Sequence, residues 1–121
     1  MYNDLKDQKQ KKGVLKLYDS KTLYGSVFLE LEDLIETPID YPIELAYYKT
    51  NETKNNSTIY GVEVVKNEYK QDTINTERNT LSLFTENESK ANNVLETLRK
   101  YKVTPIGAND VLYELIKSGS V

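Results

Sequence analysis

The spacing of apolar residues changes once along this chain, and that change limits the fold more than any other feature. From Leu23 to Leu31 apolar and polar side chains alternate, which is the period of a β-strand with one buried face. After residue 90 the spacing becomes helical, since apolar residues recur at intervals of three and four, at Ala91, Val94, Leu95 and Leu98. Strands followed by helices predict an α+β fold, with two C-terminal helices packed on one face of an antiparallel sheet.

Three or four strands fit this alternation. The predicted strands are Leu23–Leu31, Ile43–Lys49, Thr58–Tyr69 and a fourth within residues 74–84 that is strongest at Thr80–Phe84. Apolar side chains on both faces of Thr58–Tyr69 predict a central strand covered on two sides. Gly61 interrupts that strand and predicts either a bulge or the close approach of another backbone segment.

Polar segments and prolines predict the connections. Thr50–Ser57 is rich in Asn, Thr and Lys and is the clearest predicted loop. Asp19–Lys21 is the predicted turn after a short strand at Val14–Tyr18. Asp33–Pro42 contains two prolines, each of which lacks a backbone donor, so this segment is predicted as a connection rather than a strand.

Two helices are predicted after the sheet. Thr85 or Asn87 can cap the first, and Thr85 with Glu88 has the spacing of a capping box. Thr104 is the predicted cap of the second helix, and Pro105 is its predicted first residue. Tyr101 ends the apolar stripe of the first helix, and the stripe of the second is Ala108, Val111, Leu112, Leu115 and Ile116.

The composition excludes most catalytic chemistry. The 121 residues include no histidine and no cysteine, so neither a Ser-His-Asp unit nor a thiolate nucleophile nor a Cys-ligated metal can form. The chain has 16 basic and 19 acidic residues, and a net charge of −3 gives no overall attraction to phosphate or anionic lipid. We therefore expect no enzyme activity, no cofactor and no metal.

The organisation expected along the chain is simple. We expect one domain over residues 13–117, preceded by a loose, lysine-rich arm at 1–12 and followed by a frayed tail at 118–121. No apolar run is long enough for a signal peptide or a membrane span, so we expect a cytoplasmic protein.

Part of the chain resembles a known family. The matching segments are Tyr60-Gly61-Val62-Glu63-Val64, a polar stretch through Glu68 and Tyr69, and Val103-Thr104-Pro105-Ile106 with Asp110-Val111-Leu112. Over residues 58–117 they are similar to short clostridial proteins classified only as a domain of unknown function. The resemblance implies a Firmicutes source and agrees with the fold, but it implies no activity. That family has a His-Leu pair after Thr/Ser-Pro-x, whereas this chain has Gly107 and Ala108, so no role of that histidine is expected here.

Acidic residues near the end of the first strand suggest two kinds of site. Glu30 and Glu32 lie on one strand face, as paired carboxylates in acid–base catalysis do. With Asp33 and Glu36 they offer oxygen ligands for Mg²⁺ or Ca²⁺. We favour a solvated strand face instead, because no nucleophile, apolar pocket or Asp-x-Asp-x-Asp-Gly loop accompanies these acids.

Tyrosine is the unusual residue of this composition, with 10 in the chain and no tryptophan. Tyrosine is enriched at protein interfaces because it is large, amphipathic and low in rotamer entropy. The competing interpretation is that tyrosine simply favours strands. Six tyrosines lie on or beside the predicted strands and are the interface candidates: Tyr24, Tyr41, Tyr47, Tyr48, Tyr60 and Tyr69. We expect a regulator, adaptor or inhibitor that binds a protein partner, or itself as a homodimer, through these side chains.

Nucleic-acid binding is the alternative function. Its candidate residues are basic and lie in the N-terminal arm and at the end of the first helix: Lys6, Lys9, Lys11, Lys12, Arg99 and Lys100. Against it, the outer face of the second helix would expose the acidic side chains of Asp110 and Glu114, which repel phosphate.

Overall fold

The computed structural model describes residues 18–30, 33 and 39–119 of the chain. The strands are β1 (Ser20–Phe28), β2 (Ile43–Lys54), β3 (Ser57–Tyr69) and β4 (Ile74–Thr80), and the helices are α1 (Glu88–Lys100) and α2 (Ala108–Lys117). Every strand pairs antiparallel with its neighbour in sequence, so the sheet order is β1-β2-β3-β4. The predicted α+β fold is confirmed, and β3 has the central position that its two apolar faces indicated.

The connection between β2 and β3 corrects the clearest loop prediction. Residues 50–54 and Ser57 belong to strands, and only Asn55 and Asn56 form the turn, with φ angles of 54° and 67°. Positive φ at both central residues is what a two-residue type I′ hairpin requires, and asparagine tolerates that region better than other side chains. The polar residues before the turn pair across the hairpin, as in the 2.9 Å contact between the hydroxyls of Thr53 and Thr58.

The outer strands also differ from prediction at their ends. β1 already begins at Ser20, inside the predicted turn, while the short strand predicted at Val14–Tyr18 lies almost wholly outside the described residues. β4 ends at Thr80, and the segment predicted as its strongest part continues beside β3 without regular pairing, since the Leu81 amide donates to Val62 and the Phe84 amide to Tyr60. Leu81 turns into the core, where it is 4% exposed.

Gly61 explains how closely the segment after β4 can lie against β3. A Cβ atom at Gly61 would lie 3.2 Å from the Cα of Leu83 and 2.9 Å from the Oγ1 of Thr50. The backbone after β4 can therefore come this close to β3 only because residue 61 has no side chain. Of the two features predicted from this glycine, the structure has the close approach.

The first helix follows its predicted stripe, and the second begins later than expected. Asn87 caps α1 by accepting a hydrogen bond from the Lys90 amide, and Tyr101 at the other end is 68% exposed rather than part of the stripe. Thr104 and Pro105 do not begin α2, which starts at Ala108. Pro105 is instead buried in a turn, where its carbonyl accepts a hydrogen bond from Asn79 Nδ2 at 2.9 Å.

One hydrophobic core lies between the sheet and the helices. α1 packs across β1, β2 and β3, and α2 packs against α1. The buried residues of this core are Leu45, Tyr47, Val62, Val64, Leu81, Val94, Leu95, Leu98, Val103, Ala108 and Leu112. Among the described residues, no helix has the length and apolar composition needed to cross a bilayer.

Candidate interaction surface

The two faces of the sheet have different surroundings. Successive side chains of a strand point to opposite faces, so Leu45 and Tyr47 of β2 face the helices whereas Tyr48 points away from them. In the part of the chain that the structure describes, both helices pack on the first of these faces. We call the second the open face. Strand register assigns to it Lys21, Leu23, Phe28, Glu44, Ala46, Tyr48, Glu63, Val65, Tyr69, Ile74, Arg78 and Thr80.

A β-bulge in β1 determines that two of these residues lie on the open face. Pairing with β2 shifts between Leu23 and Gly25, so Tyr24 is an extra residue without a direct partner. On the N-terminal side of the bulge Leu23 pairs with Tyr48, whose side chain is on the open face, whereas Gly25 on the other side pairs with the buried Tyr47. As a result Leu23 and, two residues earlier, Lys21 lie on the open face.

Glu63 of β3 connects three strands on the open face. Its side chain is 2% exposed although it carries a carboxylate. The Lys21 ammonium donates to Oε1 at 2.9 Å, the Thr80 hydroxyl donates to Oε2 at 2.5 Å, and Arg78 Nη1 lies 3.8 Å from Oε2. Lys21 Nζ also lies 4.6 Å from the centre of the Tyr48 ring. A central strand is thereby tied to both outer strands through one buried acid.

These contacts decide the charge of the buried acid. Burial alone would raise the pKa of Glu63, but the hydrogen bonds from Thr80 and Lys21, with the charges of Lys21 and Arg78, outweigh burial and lower it. The hydrogen bond to Glu63 in turn raises the pKa of Lys21. Glu63 is therefore an anion at neutral pH, and with two cations around it the group carries one net positive charge.

Large apolar side chains are also exposed on the same face, at Leu23 within β1 and at Phe28 and Ile74 near the ends of β1 and β4. Leu23 and Phe28 are 55% and 49% exposed, and Ile74, which pairs with Tyr69, is 58% exposed. The rings of Phe28 and Tyr69 lie 6.3 Å apart, and the Tyr69 hydroxyl donates to Glu44, a contact that raises the pKa of Tyr69. The apolar patch, as we use the term, consists of Leu23, Phe28, Tyr48, Tyr69 and Ile74.

The six candidate tyrosines do not form one surface. Only Tyr48 and Tyr69 lie on the open face. Tyr24 and Tyr60 lie on the helix side, where the Tyr24 hydroxyl donates to Glu96 of α1 at 2.9 Å and Lys49 stacks 5.9 Å from the Tyr60 ring. Tyr41 lies just before β2, with Lys70 5.4 Å from its ring.

Tyr47 is a correction to the predicted interface. Its side chain is fully buried in the core, and its hydroxyl donates to the Val103 carbonyl at 2.9 Å. The alternation of β2 explains this, since adjacent residues face opposite ways and Tyr47 takes the helix side while Tyr48 takes the open face. Burial raises the pKa of Tyr47. No partner can contact Tyr47 while this core is intact.

The basic residues proposed for nucleic-acid binding are only partly described. Lys6, Lys9, Lys11 and Lys12 lie outside the described residues. Arg99 is held by Glu96, with Nη2 2.7 Å from the carboxylate, and Lys100 lies 5.5 Å from the Tyr101 ring. Asp110 and Glu114 are exposed on α2, as expected from the helical spacing.

Of the four acidic residues near the end of β1, the structure describes two. Glu32 and Glu36 lie outside the described residues. Asp33 accepts hydrogen bonds from the Glu30 amide and from Lys102 Nζ, both at 2.7 Å, and the Lys102 contact lowers its pKa. Within the described ranges no group of three or more acidic side chains is placed to hold a metal.

A second concave surface lies between the two helices. It has a volume of about 480 Å³, with Tyr101, the residue directly after α1, facing Val111 and Leu115 of α2. Asp110 and Glu114 form an acidic rim on the α2 side. This groove lies on the opposite side of the sheet from the apolar patch.

Sequence reasoning missed the group around Glu63. A usable signal existed, because a single acid within the apolar run Val62-Glu63-Val64-Val65 on a central strand must find a buried partner. Its partners, Lys21 and Arg78, come from the two outer strands, and only the strand register identifies them.

Comparison with known proteins gives a family but no function. No curated protein and no solved structure matches the chain. A family model matches residues 21–118, which span all four strands and both helices. The chain belongs to the family of unknown function DUF6514.

Proposed function

We propose that this protein is a small non-catalytic module that binds a second protein through the open face of its sheet. One observation carries the proposal: three large apolar side chains of the apolar patch, Leu23, Phe28 and Ile74, are each about half exposed on that face. The solvated face of an antiparallel sheet is normally polar. Large apolar side chains exposed on such a face are typical of a surface that another protein covers.

The charges of the open face specify the partner's chemistry. Lys21 and Arg78 share the single carboxylate of Glu63, so this group has one excess positive charge, whereas Glu44 places an acidic group beside Phe28 and Tyr69. Arg78 is the more available of the two, because its side chain is 54% exposed and lies 3.8 Å from Glu63. We infer a partner with an apolar contact surface bordered by an acidic group that pairs with Arg78.

This chemistry suits a regulator, adaptor or inhibitor. A cytoplasmic location in a Firmicutes bacterium is part of the proposal, and the resemblance to short clostridial proteins supports that source. Immunoblotting of fractionated host cells would test the location.

The experiment compares capture of a partner by matched variants. The tagged protein is crosslinked in host cells, the retained protein is purified, and its affinity is measured by calorimetry. The test variant is Leu23→Lys with Phe28→Asp, which adds charge to exposed positions of the apolar patch. The control is Tyr101→Lys, which changes an exposed residue on the helix side of the sheet.

We expect the wild type and Tyr101→Lys to bind alike, and the double variant to bind at least about tenfold more weakly at an unchanged thermal midpoint. A purified partner that binds the double variant as tightly as the wild type would overturn the proposal. So would a partner whose binding is lost only in Tyr101→Lys, since the helix side would then be the binding surface.

A further inference from the structure

The second helix has an apolar stripe on its outer side as well as its inner side. Ala108 and Leu112 face the core and are buried. Ile106, Tyr113 and Ile116 face outward and are 79%, 63% and 49% exposed. Tyr113 and Ile116 are three residues apart and therefore neighbours on the surface of α2, whereas Ile106 lies in the turn that precedes the helix.

Two opposite charges border this outer stripe. Asp110 lies in the first turn of α2 and Lys117 in the last, seven residues apart and therefore on the same side of the helix. Lys117 stacks 5.9 Å from the Tyr113 ring, and within the described part of the chain neither residue belongs to an ion pair. The border is thus acidic at one end and basic at the other.

A second copy of the same helix, running antiparallel, matches this surface. A two-fold axis near Tyr113 would bring Asp110 of each copy opposite Lys117 of the other, so the ion pair would form twice. The two Tyr113 rings would meet close to the axis, and the two helix dipoles would oppose each other favourably. A parallel pair would instead place Asp110 against Asp110.

We propose that the protein forms an antiparallel two-fold homodimer through the outer face of α2, defined by Asp110, Tyr113, Ile116 and Lys117. α2 has 10 residues and is therefore about 15 Å long, which limits the area that a pair of these helices can bury. The dimer should accordingly be weak, with a dissociation constant on the order of micromolar.

Because of the position of α2, such a dimer would still be able to bind a partner through the sheet. α2 packs on α1, and α1 covers the helix side of the sheet, so pairing through α2 leaves the open face of each copy uncovered. A dimer would then present two open faces and bind a repeated or oligomeric partner with avidity. This last step rests on the proposed function, whereas the dimer itself does not.

Charge reversal tests the dimer directly. Sedimentation velocity from about 1 to 500 µM brackets the expected constant, and the monomer mass is 14.0 kDa. Asp110→Lys or Lys117→Asp alone places like charges opposite each other and should weaken the dimer at least tenfold. The double variant Asp110→Lys with Lys117→Asp restores opposite charges and should recover most of that loss.

Two further variants keep the result specific. Asp72→Lys changes the net charge by the same amount as Asp110→Lys, at an exposed position in the β3–β4 turn, and should dimerise like the wild type. Tyr113→Lys should be monomeric throughout the range. A wild type that stays at 14.0 kDa at 500 µM, or a double variant no better than the single ones, would overturn the proposal. Circular dichroism confirms that each variant is folded.

Discussion

The hydroxyl of Tyr47, in the middle of β2, donates a hydrogen bond to the main-chain carbonyl of Val103, which lies 2.9 Å away in the connection between the helices. Both groups are buried, so neither can exchange this bond for water. The sheet is thus joined to the segment that leads into α2 by a polar contact inside an apolar core.

Tyr47→Phe should lower the free energy of unfolding by about 1–3 kcal/mol, because the Val103 carbonyl loses its buried donor while the ring still fills its space. Tyr47→Ala should cost about 3–5 kcal/mol through the additional cavity. Urea unfolding measures both, with the exposed Tyr113→Phe as a control that should change stability by less than about 0.5 kcal/mol. Equal stabilities for Tyr47→Phe and Tyr113→Phe would show that the buried hydrogen bond contributes nothing.

Glu63→Gln should lower the free energy of unfolding at pH 7 by about 1–3 kcal/mol, since Gln has no charge for Lys21 and Arg78. The pKa of Glu63 is lower in the folded state, so its contribution is present above the ordinary value of 4.5 and is lost as pH falls through the folded pKa. The difference between wild type and variant should therefore shrink below pH 4.5.

Urea unfolding at several pH values checks this dependence. Glu77→Gln is the matched control, because Glu77 is 46% exposed and lies 4.0 Å from Lys66. It should change stability little at any pH. A difference between wild type and Glu63→Gln that stayed constant from pH 7 to pH 3 would contradict the charged role of Glu63.

Gly61→Ala should destabilise the fold by about 1–3 kcal/mol, because the new methyl group would meet the Leu83 backbone at 3.2 Å and Thr50 at 2.9 Å. Gly107→Ala provides the comparison: the nearest atom to its Cβ position is 3.8 Å away, and its φ of −87° suits alanine. That variant should be neutral or more stable by up to about 1 kcal/mol. Thermal unfolding of the two proteins should therefore shift in opposite directions or differ by several degrees, and similar midpoints would be evidence against the close approach.

Asn56→Gly should stabilise the β2–β3 hairpin by a few tenths of a kcal/mol, because glycine adopts the φ of 67° without steric cost. Asn56→Val should cost about 1–2 kcal/mol, since a branched side chain clashes in that region. Hydrogen exchange of the Lys54 and Ser57 amides, which flank the turn, provides a local readout alongside global unfolding. Faster exchange in Asn56→Gly than in the wild type would contradict this description of the turn.

The fold class and the first helix followed from sequence because both depend on periodicity, which is local. The alternation around Val27 and the helical spacing from Ala91 to Leu98 survive in the structure as buried faces. The prediction of a loop at Thr50–Ser57 was wrong for a physical reason, because a polar composition is typical of an exposed hairpin end as well as of a loop. Only Asn55 and Asn56 needed to leave the strands.

The candidate surface was less accessible to sequence reasoning. Assigning tyrosines to strands could not tell which face each one takes, and the bulge at Tyr24 changes the face of every residue before it in β1. The group around Glu63 needs register as well, because its partners are 42 and 15 residues away along the chain. The buried position of Tyr47 follows from alternation only after the helix side is known.

The consecutive order of the strands has a consequence for synthesis of the chain. The strands pair only with sequence neighbours, so the sheet can form while the ribosome is still adding the C-terminal residues. Until α1 and α2 have emerged, however, the side of that sheet carrying Leu45, Val62 and Val64 has no cover. The nascent protein therefore passes through a stage with a large apolar surface in water, and this is the stage at which a chaperone would bind it.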